Sequence, residues 1–150
     1  SLRASEARYR AIVEATPDCV KLVAPDGTLL QINPAGLAMI EAAEPQALGN
    51  SIYSVIAAEH QQRFREFNER VCGGEKGQLQ FELIGQRGTR RHMESAAVAL
   101  PAPEGGFHHL AVTRDITERV AAEKSLRDSE DRYRRAATEA GLSPHRHDRW

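Results

Sequence analysis

The chain has 150 residues, with 20 Lys and Arg against 21 Asp and Glu and a formal net charge of −1. That length suits one domain with a modest core and helical flanks, and it leaves no room for a second full domain. The balanced charge gives no signature for nucleic acid, an anionic membrane or an acidic substrate, so nucleic acid is not expected as a partner.

Leu2 to Ala15 are good helix formers with a narrow apolar stripe at Tyr9, Ile12 and Val13, which reads as a packing or dimerising helix. Thr16-Pro17-Asp18 ends it, because the residue before proline is pushed out of helical geometry. Cys19 to Ala24 and Thr28 to Ile32 favour β-structure around the turn Pro25-Asp26-Gly27, a hairpin. Asn33-Pro34 reads as an N-cap followed by proline at the first helical position, opening a short helix to Ile40. Glu44 to Gly49 gives a further turn closed by glycine.

Between Ala57 and Cys72, His60, Phe64, Phe67 and Val71 recur at helical spacing, and Gly73-Gly74 ends the pattern. Gln78 to Leu83 alternates polar and apolar residues, as a strand with one wet face does. Gln86-Arg87-Gly88 turns it, Thr89 to Leu100 is a second strand, Pro101 to Gly106 a loop and Phe107 to Thr113 a third strand. From Thr117 to about Thr138 the chain is helical again. Two strands, several helices and three more strands with hairpin-length turns imply one antiparallel sheet with helices over one face, an α+β domain.

The segment Ser1 to Arg10 returns at Ser125 to Arg134, differing only at Ala4/Asp128 and Ala7/Asp131. Self-similarity at a domain-sized offset suggests an array of whole modules, each introduced by a similar amphipathic helix, and not a solenoid of roughly 20–50-residue repeats. Because the chain begins at Ser1 rather than Met and stops in mid-pattern at Trp150, it is read as a segment of a longer protein. The expected organisation is a flanking helix at 1–16, a core at 17–117, and an outgoing helix with the start of the next module at 118–150.

Four local motifs and the element order resemble the PAS family over about residues 5–122. They are Pro25-Asp26-Gly27, Asn33-x-Ala35, Leu48-Gly49 and the run Arg114-Asp115-Ile116-Thr117-Glu118-Arg119, the last being the most specific. The resemblance implies a five-stranded sheet over short helices, a small interior cavity and dimerisation through the flanking helices. It also implies neighbouring modules and an output domain in the same protein, a histidine kinase being the commonest. Asp115, Ile116 and Thr117 stand where the family couples its sheet to an outgoing signalling helix. Asn33, Gly49 and Gly88 are the structural motif residues, and His60, Phe64, Phe67, Phe81 and Leu83 the candidates for lining the cavity.

Apart from the family, a carboxylate at Asp115 can complement the start of a helix, with Arg87, Arg90 and Arg91 as candidate ion-pair partners.

Three functional readings follow. In the first, a small and mostly apolar molecule binds the cavity and drives the outgoing helix. In the second, the domain is an unliganded relay and dimerisation module, which the repeated helices favour. In the third, it is a haem-based gas or redox sensor with His60, near where haem-binding members carry their ligand, as the iron ligand. Covalent flavin photochemistry is disfavoured, since Gly49-Asn50-Ser51-Ile52 lacks the reactive cysteine of that branch.

No catalytic residues are assigned, because the chain has no phosphate-binding glycine motif, zinc-protease motif, nucleophile elbow or kinase phospho-acceptor histidine motif. Gly73-Gly74-Glu75 is too incomplete for a diguanylate cyclase signature. No metal site is assigned: Cys19 and Cys72 form no C-x-x-C pair, and His108 and His109 fall on opposite faces of a strand. His145 and His147 are too few to hold a transition metal alone. Unpaired cysteines and no run near the roughly 18–20 apolar residues of a membrane helix imply a cytoplasmic segment without membrane contact, while membrane anchorage of the longer protein stays open.

Overall fold

The computed structural model describes residues 1–141, in one unit from Ser1 to Ile116 and a second that begins at Thr117. In the first, helix α1 (Leu2–Ala15) is capped by Ser1, whose Oγ accepts from the Ala4 N–H at 3.2 Å. Strands β1 (Cys19–Val23) and β2 (Leu29–Ile32) form the hairpin, turned by Gly27 at φ 90°. Helices α2 (Pro34–Ile40) and α3 (Glu44–Ala47) and two 3₁₀ turns (Ile52–Val55 and Ala58–His60) lead into α4 (Gln61–Cys72). Strands β3 (Gly77–Ile84), β4 (Arg90–Pro101) and β5 (Phe107–Asp115) complete the unit.

The five strands form one antiparallel sheet in the order β2-β1-β5-β4-β3, the α+β architecture that the hairpin-length turns imply. The two-residue period of a strand sets which side chains face the helices. Those of Val23, Ala111, Met93, Ala97, Phe81 and Leu83 are buried. Against them pack Ile40, Phe64, Phe67 and Val71 from α2 and α4 and the Ile52–Val55 turn. On the other face Val98, Leu100 and Val112 are exposed.

Asn33 explains why the hairpin and α2 meet as they do. Its Oδ1 accepts from Gly36 N at 3.0 Å, the cap expected from Asn33-Pro34, and from Val20 N at 2.9 Å. Its Nδ2 donates to Val13 O at 2.8 Å and Asp18 O at 2.9 Å. One buried amide thus joins the end of α1, the start of β1 and the start of α2. Gly36 must be glycine for a packing reason, since a Cβ there would lie 2.6 Å from Ile32 Cγ1 and 2.7 Å from Cys19 Sγ.

The helix expected from Ala57 differs in its first turn. Ala58–His60 is 3₁₀ and α4 begins only at Gln61, so His60 does not share the azimuth of Phe64, Phe67 and Val71. The stripe on α4 is instead Phe64, Phe67, Asn68 and Val71.

In the second unit, α5 (Thr117–Glu139) carries Glu118 in its first turn, complementary to the helix dipole. Ser125 to Arg134 lies within it, and its repeat mate, Leu2 to Arg10, lies within α1. The paired apolar residues Leu2 and Leu126, and Tyr9 and Tyr133, are all exposed. Among the described residues no helix is long and apolar enough to cross a membrane.

Candidate functional site

The inner face of the sheet is not uniformly apolar. Lys21 of β1 points inward, 4% exposed, and its Nζ donates to Thr113 Oγ1 at 2.9 Å. The Thr113 hydroxyl donates in turn to Ser95 Oγ at 3.0 Å, so a polar chain runs across β1, β5 and β4. Burial pushes the Lys21 ammonium down from its usual pKa and the neighbouring Cys19 thiol up.

His109, two residues before Ala111 on β5, is fully buried. Its ring stacks on Phe64 with centroids 6.1 Å apart and meets Phe67 edge-on at 5.4 Å. The tautomer follows from Asn68. Its Nδ2 donates to Ala24 O, Pro25 O and Tyr53 Oη, and two of these are carbonyls that can only accept. Oδ1 must therefore face His109 Nδ1 at 2.9 Å, making Nδ1 the protonated nitrogen. Nε2 keeps a buried lone pair without a hydrogen-bond partner among the described residues. Desolvation, helped by the charge of Lys21, pushes the His109 pKa from 6.5 down to about 3. The imidazole is neutral at physiological pH.

Between Lys21, Thr113 and the helices lies a cavity of about 10 Å³, lined also by Cys19, Met93, Phe81 and Leu83, by Ile32 of β2 and by isoleucines of the helical side; His109 does not line it. Space of that order holds about one water molecule.

The second feature is the end of the sheet. Asp115 Oδ2 lies 2.9 Å from Arg91 Nη1, both side chains about a quarter to a third exposed. The next residue, Ile116, is buried, and its N–H donates to His92 O at 2.8 Å. Among the three arginines named as candidates, Arg91 is the partner of Asp115; Arg90 lies with Glu59 and Glu82 instead.

The family model for the PAS fold matches residues 13–121. The chain belongs to the PAS family. Comparison with curated proteins finds no match. Among solved structures, the PAS domain of an HTR-like protein from Haloarcula marismortui is similar, with TM-score 0.66 and 23% identity over 77% of this chain and 94% of that one. A domain of a sensory box sensor histidine kinase/response regulator from Geobacter sulfurreducens gives 0.61 and 22% over 74% and 96%. A sensory box histidine kinase/response regulator from Burkholderia thailandensis gives 0.63 and 18% over 85% and 98%. At these identities the likeness is one of fold.

Within this PAS domain, the residues singled out from sequence fall in several places. Phe81 and Leu83 line the interior cavity. Phe64 and Phe67 are buried against His109 and do not line it, and His60 lies outside it. The His60 side chain is 21% exposed at the β3 edge, with Nε2 3.0 Å from Glu82 Oε2 and Nδ1 3.2 Å from Arg63 Nη2. Both ring nitrogens are engaged outside the core, so His60 as placed presents neither to a haem in the interior. Gly49 and Gly88 take positive φ at turns, 84° and 90°. His108 is held by Glu104 at 2.6 Å, away from His109 as alternation along the strand implies. His145 and His147 lie outside the described residues.

Lys21, Asn68 and His109 are the residues that the sequence reading missed. Each had a signal: Lys21 shares the parity of Cys19 and Val23 on β1, His109 that of Ala111 and Thr113 on β5, and Asn68 falls on the inward stripe between Phe67 and Val71.

Proposed function

We propose that this PAS domain is a sensory relay of a signalling protein, passing a change in its sheet through Asp115, Ile116 and Thr117 to the helix that follows and on to an output domain of histidine kinase type. The observation that carries this reading is the clamp at the end of β5. The Arg91–Asp115 pair and the Ile116-to-His92 hydrogen bond together fix where the sheet stops. A shift of β4 against β5 changes both at once, and the helix starts at the next residue. A junction whose two contacts break or form together is the kind of element a two-state relay would use. The sensory box histidine kinases of similar fold support the choice of output.

The interior supports a stimulus that differs in chemistry from the mostly apolar ligand suggested by sequence. The buried Lys21 amine, with one hydroxyl acceptor, retains donor capacity at the cavity wall. A small molecule entering this core would be held best if it offered an acceptor such as a carboxylate or carbonyl to Lys21. The cavity of about 10 Å³ favours a second reading, an unliganded relay that takes its input from the flanking helices. The exposed Leu2, Tyr9, Leu126 and Tyr133 support homodimerisation through those helices in either case.

The test is to fuse the chain to a histidine kinase core and to measure autophosphorylation of Asp115→Ala and Arg91→Ala beside thermal unfolding. The expected result is altered kinase output with a folded domain, because a partly exposed ion pair contributes only about 0.5–1 kcal/mol to stability. The double swap Arg91→Asp with Asp115→Arg is expected to restore much of the output. Normal output from both single variants would refute the relay, and global unfolding of Asp115→Ala would make the clamp purely structural.

A further inference from the structure

We propose that the chain carries a zinc-type metal site at the β3–β4 edge, with Glu59, His60 and Glu82 already clustered as ligands and His92, paired to Glu82, turning in as the fourth. Glu82 and His92 are directly opposed in the β3–β4 register. The 3₁₀ turn at Ala58–His60 brings His60 and Glu59 to the same carboxylate, held there by the Ala57 N–H donating to Glu82 O at 2.9 Å. His60 Nε2 stands 3.0 Å from Glu82 Oε2, and His92 Nε2 stands 3.4 Å from Glu82 Oε1. Ligand atoms of Glu59, His60 and Glu82 all lie within 4.8 Å of one another.

The two histidine–Glu82 separations are those of neighbouring ligands on a tetrahedral ion, and the wider span of the cluster must contract when an ion binds. With zinc–nitrogen and zinc–oxygen bonds of about 2.0–2.2 Å, neighbouring ligand atoms sit about 3.3 Å apart. Two imidazoles with carboxylates suit zinc, whereas calcium and magnesium take oxygen ligands in larger number. The ligands come from a turn and two hydrogen-bonded strands, so their backbone positions are set before an ion arrives and the side chains close on it.

Two guanidiniums must give way. Arg90 Nη1 lies 2.8 Å from Glu59 Oε1 and 3.3 Å from Glu82 Oε2, where it supplies the positive charge that an ion would replace. Arg63 touches His60 Nδ1, the nitrogen that must carry the proton when Nε2 binds metal. Both arginines are exposed and can swing into solvent.

The site is read by titrating zinc chloride into the purified chain by calorimetry, with cobalt(II) absorbance reporting coordination geometry. The expected result is one zinc per chain, a tetrahedral cobalt spectrum, and losses of at least about tenfold in affinity for His60→Ala and for His92→Ala. Arg90→Ala is expected to bind more tightly, and the His145→Ala/His147→Ala variant to bind as the parent does. Circular dichroism checks that each variant is folded, as the partial exposure of His60 and His92 predicts. Absence of zinc binding, a loss below tenfold in both histidine variants, or binding abolished by the His145/His147 changes overturns the proposal.

Discussion

His109 makes the acid stability of this domain calculable. The imidazole is sealed under Phe64 and Phe67 with its pKa at about 3, while in the unfolded chain it returns to the ordinary 6.5. Below pH 6.5 the unfolded state therefore binds a proton that the folded state refuses. Stability is whole above that pH and is lost as pH falls through it, at up to about 1.4 kcal/mol per pH unit. At about pH 5 the loss amounts to about 2 kcal/mol, a figure set by the unfolded value and unchanged for any folded pKa below about 4.

The assay is urea unfolding of the wild type and of His109→Gln at about pH 7 and about pH 5. The variant is expected to be less stable at both, since it loses the ring stacking. The quantity that matters is the difference in slope. The wild type should lose about 2 kcal/mol more than the variant between the two pH values, because the other histidines cancel in the subtraction. Equal losses would show that His109 takes up a proton in the folded state and would refute the neutral, sealed imidazole.

Asn33→Ala should cost about 3 kcal/mol in the same unfolding assay, since it leaves two backbone N–H groups and two carbonyls without their partner in the fold. Lys21→Met should be neutral or stabilise by about 1 kcal/mol, because it replaces a desolvated ammonium by an apolar chain of similar length and leaves the Thr113–Ser95 hydrogen bond in place. A loss of more than about 2 kcal/mol would instead assign Lys21 a structural role. Tyr9→Ser with Ile12→Ser should leave the melting temperature of a dilute monomer nearly unchanged, as both side chains are exposed, and should shift sedimentation toward monomer if α1 dimerises.

Much of the fold was legible because local signals agreed with tertiary demands. Asn33-Pro34 gave the start of α2, Gln78 to Leu83 alternated as an edge strand with one wet face must, and Pro25-Asp26-Gly27 turned the first hairpin. The Ile52–Val55 turn was not legible, since four residues carry no period to detect. His60 was misdirected for a related reason: extending α4 backward by α-helical spacing rotates a residue that belongs to a 3₁₀ turn. The core polar residues escaped because charge and hydrogen-bonding capacity read as surface. Only the pairing register shows that Lys21 has Thr113 within reach and that Asn68 meets His109.

The two chain ends of the sheet lie at one corner of the domain. Cys19 at the start of β1 stands opposite Thr113 near the end of β5, and Asp18 Oδ1 lies 3.7 Å from Arg114 Nε. Asn33 fastens the last turn of α1 to that same corner. Under the proposed relay, a twist of the incoming helix would reach Arg114 and Asp115 across one pair of strands, by contacts that bypass the interior. In the relay proposed above, core occupancy and helix torque would act on one corner in parallel, and their free energies would sum at the exit. Silencing either input would move the set point of such a domain and leave its response to the other intact.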